Sequence, residues 1–269
     1  MSPRCAVTLS HPPQLASNPM LNPLRNSSAI VLAVLMVTEN SHAEPRNFAS
    51  AETPTTLLEL FTSEGCSSCP PAEEWIGKLK TNPDLWKTIV PVVFHVDYWD
   101  NLGWPDRFAS REFTARQRRY AATWNTSSVY TPGFVTSGRE WKGFFQRGNL
   151  PVPSSEKVGK LSVTLPDPSR AEITFTPSKP APKPLQAWVA LLGGDLATDV
   201  QRGENRGRKL RHEFVALHLQ SPSLTCADGQ WTATLKLTAS TKETPVALAA
   251  WIAPGEAQPP LQATGGWLR

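Results

Sequence analysis

Cysteine is scarce in this chain, with four among 269 residues, and histidine is little commoner at five. Charge of neither sign dominates: charged residues make up 19% and the net charge is +4, without a dense basic patch. Neither nucleic acid nor an anionic membrane surface is therefore implied as a partner. The apolar run Ala29–Val37 has nine residues, too few to span a bilayer, which takes about 20. The glycine-containing basic stretch Arg202–Arg208 lacks the strand and helix that flank a phosphate-binding loop, and reads as a surface loop. No second ligand pair accompanies the closely spaced cysteines, which argues against a closed zinc site. What is plentiful is proline, 26 residues, which fits a chain of loops and short strands. Apolar residues at 40% are ordinary for a globular protein.

The N-terminus reads as a signal peptide with an N-terminal extension over 1–43. Arg25 precedes the apolar run, and Ser41-His42-Ala43 places small residues before Glu44, as at a cleavage site. Met20 is an alternative start that gives a signal of normal length. The expected location is periplasmic or secreted, with no stable membrane insertion after cleavage. Cleavage removes Cys5 and leaves Cys66, Cys69 and Cys226 in a compartment that permits disulfides. An odd number does not make a simple structural framework, so one redox pair and one lone cysteine are expected.

The chain is organised around Glu59–Pro71. Leu57–Phe61 has the length and type of a buried strand, and Ser63-Glu64-Gly65 is a turn composition. Cys66 and Cys69 follow. Ala72, Trp75, Ile76 and Leu79 then fall on one face of a helix whose first turn holds Pro70 and Pro71. This places Cys-x-x-Cys at a helix N-terminus, where backbone N–H groups and the helix dipole stabilise a thiolate. Against that, Glu64, Glu73 and Glu74 disfavour a second anion, and no base lies between Ser63 and Ile76. Only a moderately acidic thiol is expected. Further on, Val129-Tyr130-Thr131-Pro132 precedes a hairpin pattern, Gly133–Trp141.

Together these stretches resemble the thioredoxin superfamily, and most closely an uncharacterised family of secreted bacterial thioredoxin-like proteins. The shared stretches are Glu59–Ala72, Val96–Asp100 and Val129–Pro132. The resemblance implies a thioredoxin-like domain over 54–150, with a cis bond before Pro132 and the Thr131-Pro132 backbone beside the cysteines. Two positions depart from it. Gly65 stands where an aromatic residue precedes the first cysteine, and Leu60 stands where a buried acid lies, while Glu59 points to the opposite strand face.

Pro151–Ser155 reads as a linker. Beyond it, apolar stretches of strand length at 161–165, 171–175, 187–191, 214–219, 231–237 and 246–252 alternate with turns. That pattern predicts a β-sandwich-like domain over 156–269. The fold class expected from sequence is thus an α/β thioredoxin-like domain followed by an all-β sandwich-like domain. Glu44–Thr53 reads as a polar mobile lead, and the arginines of the 110–122 helix as a solvated face.

For function, the reading is a thiol–disulfide oxidoreductase with Cys66 as nucleophile and Cys69 as resolving cysteine. Tyr130, Thr131, Pro132 and Trp99 are the expected substrate contacts, with Trp99 in an aromatic, aspartate-rich lip at 97–106. Partners would be protein or small-molecule thiols and disulfides, with no cofactor, no metal and no nucleic acid. Two alternatives stand beside it. One is a copper-binding or metal-delivery protein using Cys66, Cys69 and His95, soft ligands suited to Cu(I). The other is a non-catalytic interaction protein.

Overall fold

Apolar and β-branched residues concentrate in short runs along the chain, and most of these runs form strands. The computed structural model describes residues 44–238 and 242–268. Residues 1–43, read from the sequence as a signal peptide and including Ala29–Val37 and Cys5, lie outside the described residues. The chain opens with β1 (Arg46–Ala49) and β2 (Thr56–Thr62), then α1 (Pro70–Gly77), which tightens into a 3-10 turn at Lys78–Thr81. β3 (Ile89–His95) leads through a 3-10 turn at Asp97–Leu102 to α2 (Arg111–Thr123). β4 (Gly133–Thr136), β5 (Arg139–Glu140) and the short α3 (Gly143–Gln146) follow. The rest is strand: β6 (Gly159–Asp167), β7 (Arg170–Pro177), β8 (Gln186–Gly193), β9 (Leu196–Asp199) and β10 (Lys209–His212). The last five are β11 (Val215–Gln220), β12 (Thr225–Ala227), β13 (Gln230–Lys236), β14 (Ala247–Ala253) and β15 (Gln262–Trp267).

The expected division into an α/β thioredoxin-like domain and a separate sandwich does not hold. The structure is 41% strand and 16% helix, arranged as several sheets. The largest has eight strands in the order β15-β14-β8-β11-β3-β2-β4-β5, so strands from both sides of Pro151–Ser155 share one sheet. The join is short: β11 lies parallel to β3 at Val215 and Val93, and the Val93 N–H donates to the Phe214 carbonyl at 2.8 Å. A second sheet, β1-β6-β7-β13-β12, lies against the outer strands of the first, and β9 pairs β10 in a separate ribbon.

The physical reason is the pattern within β8 and β14. Alternate residues of a strand point to opposite faces. Trp188, Ala190 and Leu192 enter the core that also holds Leu57, Phe61 and Phe94. Their neighbours Ala187, Val189 and Leu191 enter a second core with Val163, Ile173 and Phe175. β14 divides in the same way, with Ala249 and Trp251 on one side and Leu248, Ala250 and Ile252 on the other. Strands apolar on both faces have to be covered on both, which makes them interior strands shared by two cores.

α2 seals the first core and ties the halves together. Ser110 caps it, its Oγ accepting the Glu112 N–H at 3.2 Å. Arg116 is not on a solvated face. It is 2% exposed, its Nε donates to Glu59 Oε1 at 2.7 Å, and its guanidinium stands 5.0 Å from the Trp251 ring. The Tyr120 hydroxyl donates to the other Glu59 oxygen at 2.6 Å. Nor is Glu44–Thr53 simply a mobile lead: β1 pairs antiparallel with β6, and Phe48 packs on the second core. Among the described residues no helix is long and apolar enough to cross a membrane.

Candidate functional site

β2 and β3 are parallel neighbours, so their carboxyl ends open on the same edge of the sheet. β2 runs into the turn Ser63-Glu64-Gly65, which is closed by the Cys66 N–H donating to the Ser63 carbonyl at 3.1 Å. Cys69 stands at the head of α1, and its carbonyl accepts from the N–H groups of Ala72 and Glu73. Cys66 and Cys69 are joined as a disulfide with Cα atoms 5.5 Å apart, and Cys226 is free and exposed.

Cys66, the expected nucleophile, does not face solvent. Both paired cysteines are wholly buried, while Ser67 and Ser68 between them are exposed. The cover comes from three places. Thr131 brings its carbonyl to 3.7 Å from the Cys66 sulfur, across the cis Thr131-Pro132 bond. Trp99 packs on Gly65, where a Cβ would stand 3.1 Å from the Trp99 Cβ. A side chain at Gly65 would crowd that contact. Asn205 Nδ2 donates to the carbonyls of both Glu64 and Cys66, at 2.8 and 2.9 Å, and the Ser67 N–H donates to Glu204.

The four expected substrate contacts are gathered here. Trp99 Nε1 donates to Thr131 Oγ1 at 2.8 Å, which fixes the indole beside the cysteine pair. Pro132 is buried, and Tyr130 is 39% exposed with its hydroxyl turned to Glu140 Oε1 at 2.7 Å. The Tyr130 carbonyl accepts from Gln117 Nε2 at 2.7 Å. A cleft of about 230 Å³ runs along this segment, lined among others by Gln117, Trp124, Tyr130 and Lys142.

Behind the cysteines lies a cluster of charged side chains shielded from water. Glu73 extends from the same helix face as Cys69, one turn on. Its Oε1 accepts from Thr62 Oγ1 at 2.7 Å and its Oε2 is bonded to His212 Nδ1. His212 Nε2 lies 3.2 Å from Glu64 Oε1, an ion-pair contact, while Glu64 Oε2 accepts from Trp104 Nε1 at 2.7 Å. His95, at the end of β3, turns Nδ1 to Asp106 Oδ2 at 2.7 Å and sets its ring 5.2 Å from that of His212. Asp106 also accepts the N–H groups of Glu64 and Phe108. Burial alone lowers the pKa of His212, but Glu73 and Glu64 reverse this and hold it up at about 10. Burial opposes charge on His95, Asp106 and Glu73 as well. Even so, Asp106 raises the pKa of His95, and the imidazoles hold Asp106 and Glu73 below the usual carboxylate range.

His95 is thus engaged with Asp106, and the side chains gathered round it are Glu73, His212 and Phe108. Three members of the site were not singled out from sequence. Asp106 sat within the aspartate-rich lip, Asn205 within the basic loop, and His212 carried no signal beyond being one of few histidines.

Fold and site together define a β-rich protein of two large sheets and a two-stranded ribbon, with a buried Cys-x-x-Cys pair at a helix head and a His–carboxylate cluster behind it. The chain belongs to the family described as protein of unknown function (DUF1223), which matches residues 57–253 and so runs from β2 through β14. It is similar to a crystal structure of protein AGR_C_4864 from Agrobacterium tumefaciens, at 28% identity and a TM-score of 0.55, covering 80% of this chain and 95% of that one. It is also similar in fold to HBP35 of Porphyromonas gingivalis, at 16% identity and a TM-score of 0.50, covering 81% of this chain and 76% of that one. No curated protein matches the chain.

Proposed function

We propose that this protein is a thiol–disulfide oxidoreductase acting in the periplasm or outside the cell on protein or small-molecule disulfides. The observation that carries this reading is the contact between the cysteine pair and Thr131: a backbone carbonyl lies 3.7 Å from the Cys66 sulfur. Backbone beside a redox sulfur is where an extended substrate chain pairs once the cover opens, and Pro132 next to it has no N–H to compete. The pair also sits at a helix head, where a thiolate is stabilised.

In the reducing direction the Cys66 thiolate attacks one sulfur of a substrate disulfide. A mixed disulfide forms and the other substrate sulfur leaves as a thiolate. The Cys69 thiolate then attacks the Cys66 sulfur, expels the second substrate thiolate and closes the Cys66–Cys69 bond. Two electrons pass to the substrate, and an external dithiol restores the reduced pair. Because Cys66 is buried, the cover formed by Thr131, Trp99 and Asn205 has to open for each turnover, which favours a selective partner over a general reductant.

The test is turnover of a fluorogenic protein disulfide with a dithiol as electron donor. Cys66→Ser abolishes it, and Cys69→Ser accumulates mixed disulfides through Cys66 that are visible on non-reducing gels. Full turnover by Cys66→Ser, or an inert wild-type pair at every poise tried, would rule the reading out.

A further inference from the structure

We infer that Glu73, His95 and His212 form a binding site for one divalent transition-metal ion of the zinc class, built from side chains separate from the cysteine pair. The three residues come from α1, β3 and β10, and each offers a ligand atom within 4.8 Å of the others. Two imidazoles and one carboxylate are a donor set that such ions accept, with a fourth position left for water or another oxygen.

An independent observation points to a ligand. His95 is wholly buried, its Nδ1 is taken by Asp106, and its Nε2 has no hydrogen-bond partner among the described residues. A buried polar atom left unpaired costs about 1–3 kcal/mol. A bound cation gives that lone pair its partner.

The surroundings also match what holds metal-binding histidines. Each imidazole has one nitrogen against a carboxylate that is not a proposed ligand, Asp106 for His95 and Glu64 for His212. Such outer carboxylates set ring orientation and raise donor strength. Both are anchored in turn, Asp106 by two backbone N–H groups and Glu64 by Trp104. Glu73 keeps one oxygen on Thr62, leaving the other, now bonded to His212 Nδ1, to share the ion with that nitrogen. Three buried carboxylates, Glu64, Glu73 and Asp106, surround two imidazoles, so a divalent ion would place positive charge among them.

The experiment uses the full exported chain, stripped with a chelator and then dialysed against Zn²⁺ or Co²⁺. The wild type is expected to retain about one equivalent of Zn²⁺, and its Co²⁺ form to show visible bands of a low-coordinate nitrogen–oxygen site. A Cys66→Ser/Cys69→Ser variant keeps both properties, which separates this site from thiolate-bound metal. Asp106→Asn weakens affinity by about 10–100-fold, and His95→Ala and His212→Ala, checked for folding by circular dichroism, lose stoichiometric binding. No stoichiometric binding by the wild type overturns the inference. So does loss of binding in the double cysteine variant, or its retention in folded His95→Ala and His212→Ala. If the histidine variants fail to fold, the wild-type and double-cysteine results decide it alone.

Discussion

Glu59 and Arg116 are both removed from water and form a buried ion pair. Removing one partner of such a pair costs about 3–5 kcal/mol, whereas replacing both by apolar residues of similar size is often neutral. Glu59→Leu is therefore expected to lower stability by that amount in a urea titration. Glu59→Leu/Arg116→Met should recover most of the loss, although the Tyr120 hydroxyl then also wants a partner. Equal losses in the single and double variants would show that the pair is not coupled. The cysteines allow a second test at this scale. In reduced protein, brief alkylation followed by peptide mass mapping should label the exposed Cys226 well before the buried Cys66 and Cys69. Asn205→Ala leaves two buried carbonyls without their donor, at a cost of about 1–3 kcal/mol. It should speed labelling of Cys66 relative to Cys226.

Among the elements, α2 owes its start to one residue. The Ser110 hydroxyl accepts an otherwise unpaired N–H of the first turn, and Ser110→Ala should cost about 1 kcal/mol, while Ser110→Asp retains most of it. Hydrogen exchange at the first amides of α2 would report the change. The ribbon of β9 and β10 matters for a different reason: it delivers His212 to the cluster, and Asn205 sits in the turn that joins its strands. A basic, glycine-containing loop by composition, this connection reaches back to Glu64 and Cys66 because Asn205 bonds both carbonyls.

For the whole molecule the decisive feature is the shared sheet. A fragment ending at Leu150 would expose the open edge of β3, remove His212 and Asn205 from the site, and strip Trp188 and Trp251 from Arg116. Residues 44–150 alone are expected to show little amide dispersion in a proton–nitrogen correlation spectrum. The chain from residue 44 to its end should unfold in a single transition, with tryptophan fluorescence and far-ultraviolet dichroism coinciding. A well-dispersed spectrum from the fragment would instead restore a separable first domain.

Local patterns carried the elements that depend on neighbours in sequence. The strand before Cys66, the proline-headed helix after it, the Ser110 cap and the alternating strands after residue 156 all follow from side-chain period and turn chemistry within about ten residues. So does the juxtaposition of the Thr131-Pro132 segment with the cysteines, once the motif resemblance is added. β1 and β15 escaped because one is polar and the other carries Gly265 and Gly266; both form because a partner strand offers its hydrogen bonds. Arg116 escaped because helix position alone does not say that Glu59 waits beneath it. Above all, the two-domain division followed from a proline-rich connector, which marks a loop but not where the cores part. Only the tertiary structure decided that β11 joins β3, that β8 and β14 serve two cores at once, and that His212 meets Glu73 across 139 positions. These are contacts between segments far apart in the chain, set by burial on both faces of a strand and by the need of buried charges for partners. A single sequence records the residues that meet such needs, but not which of them will meet.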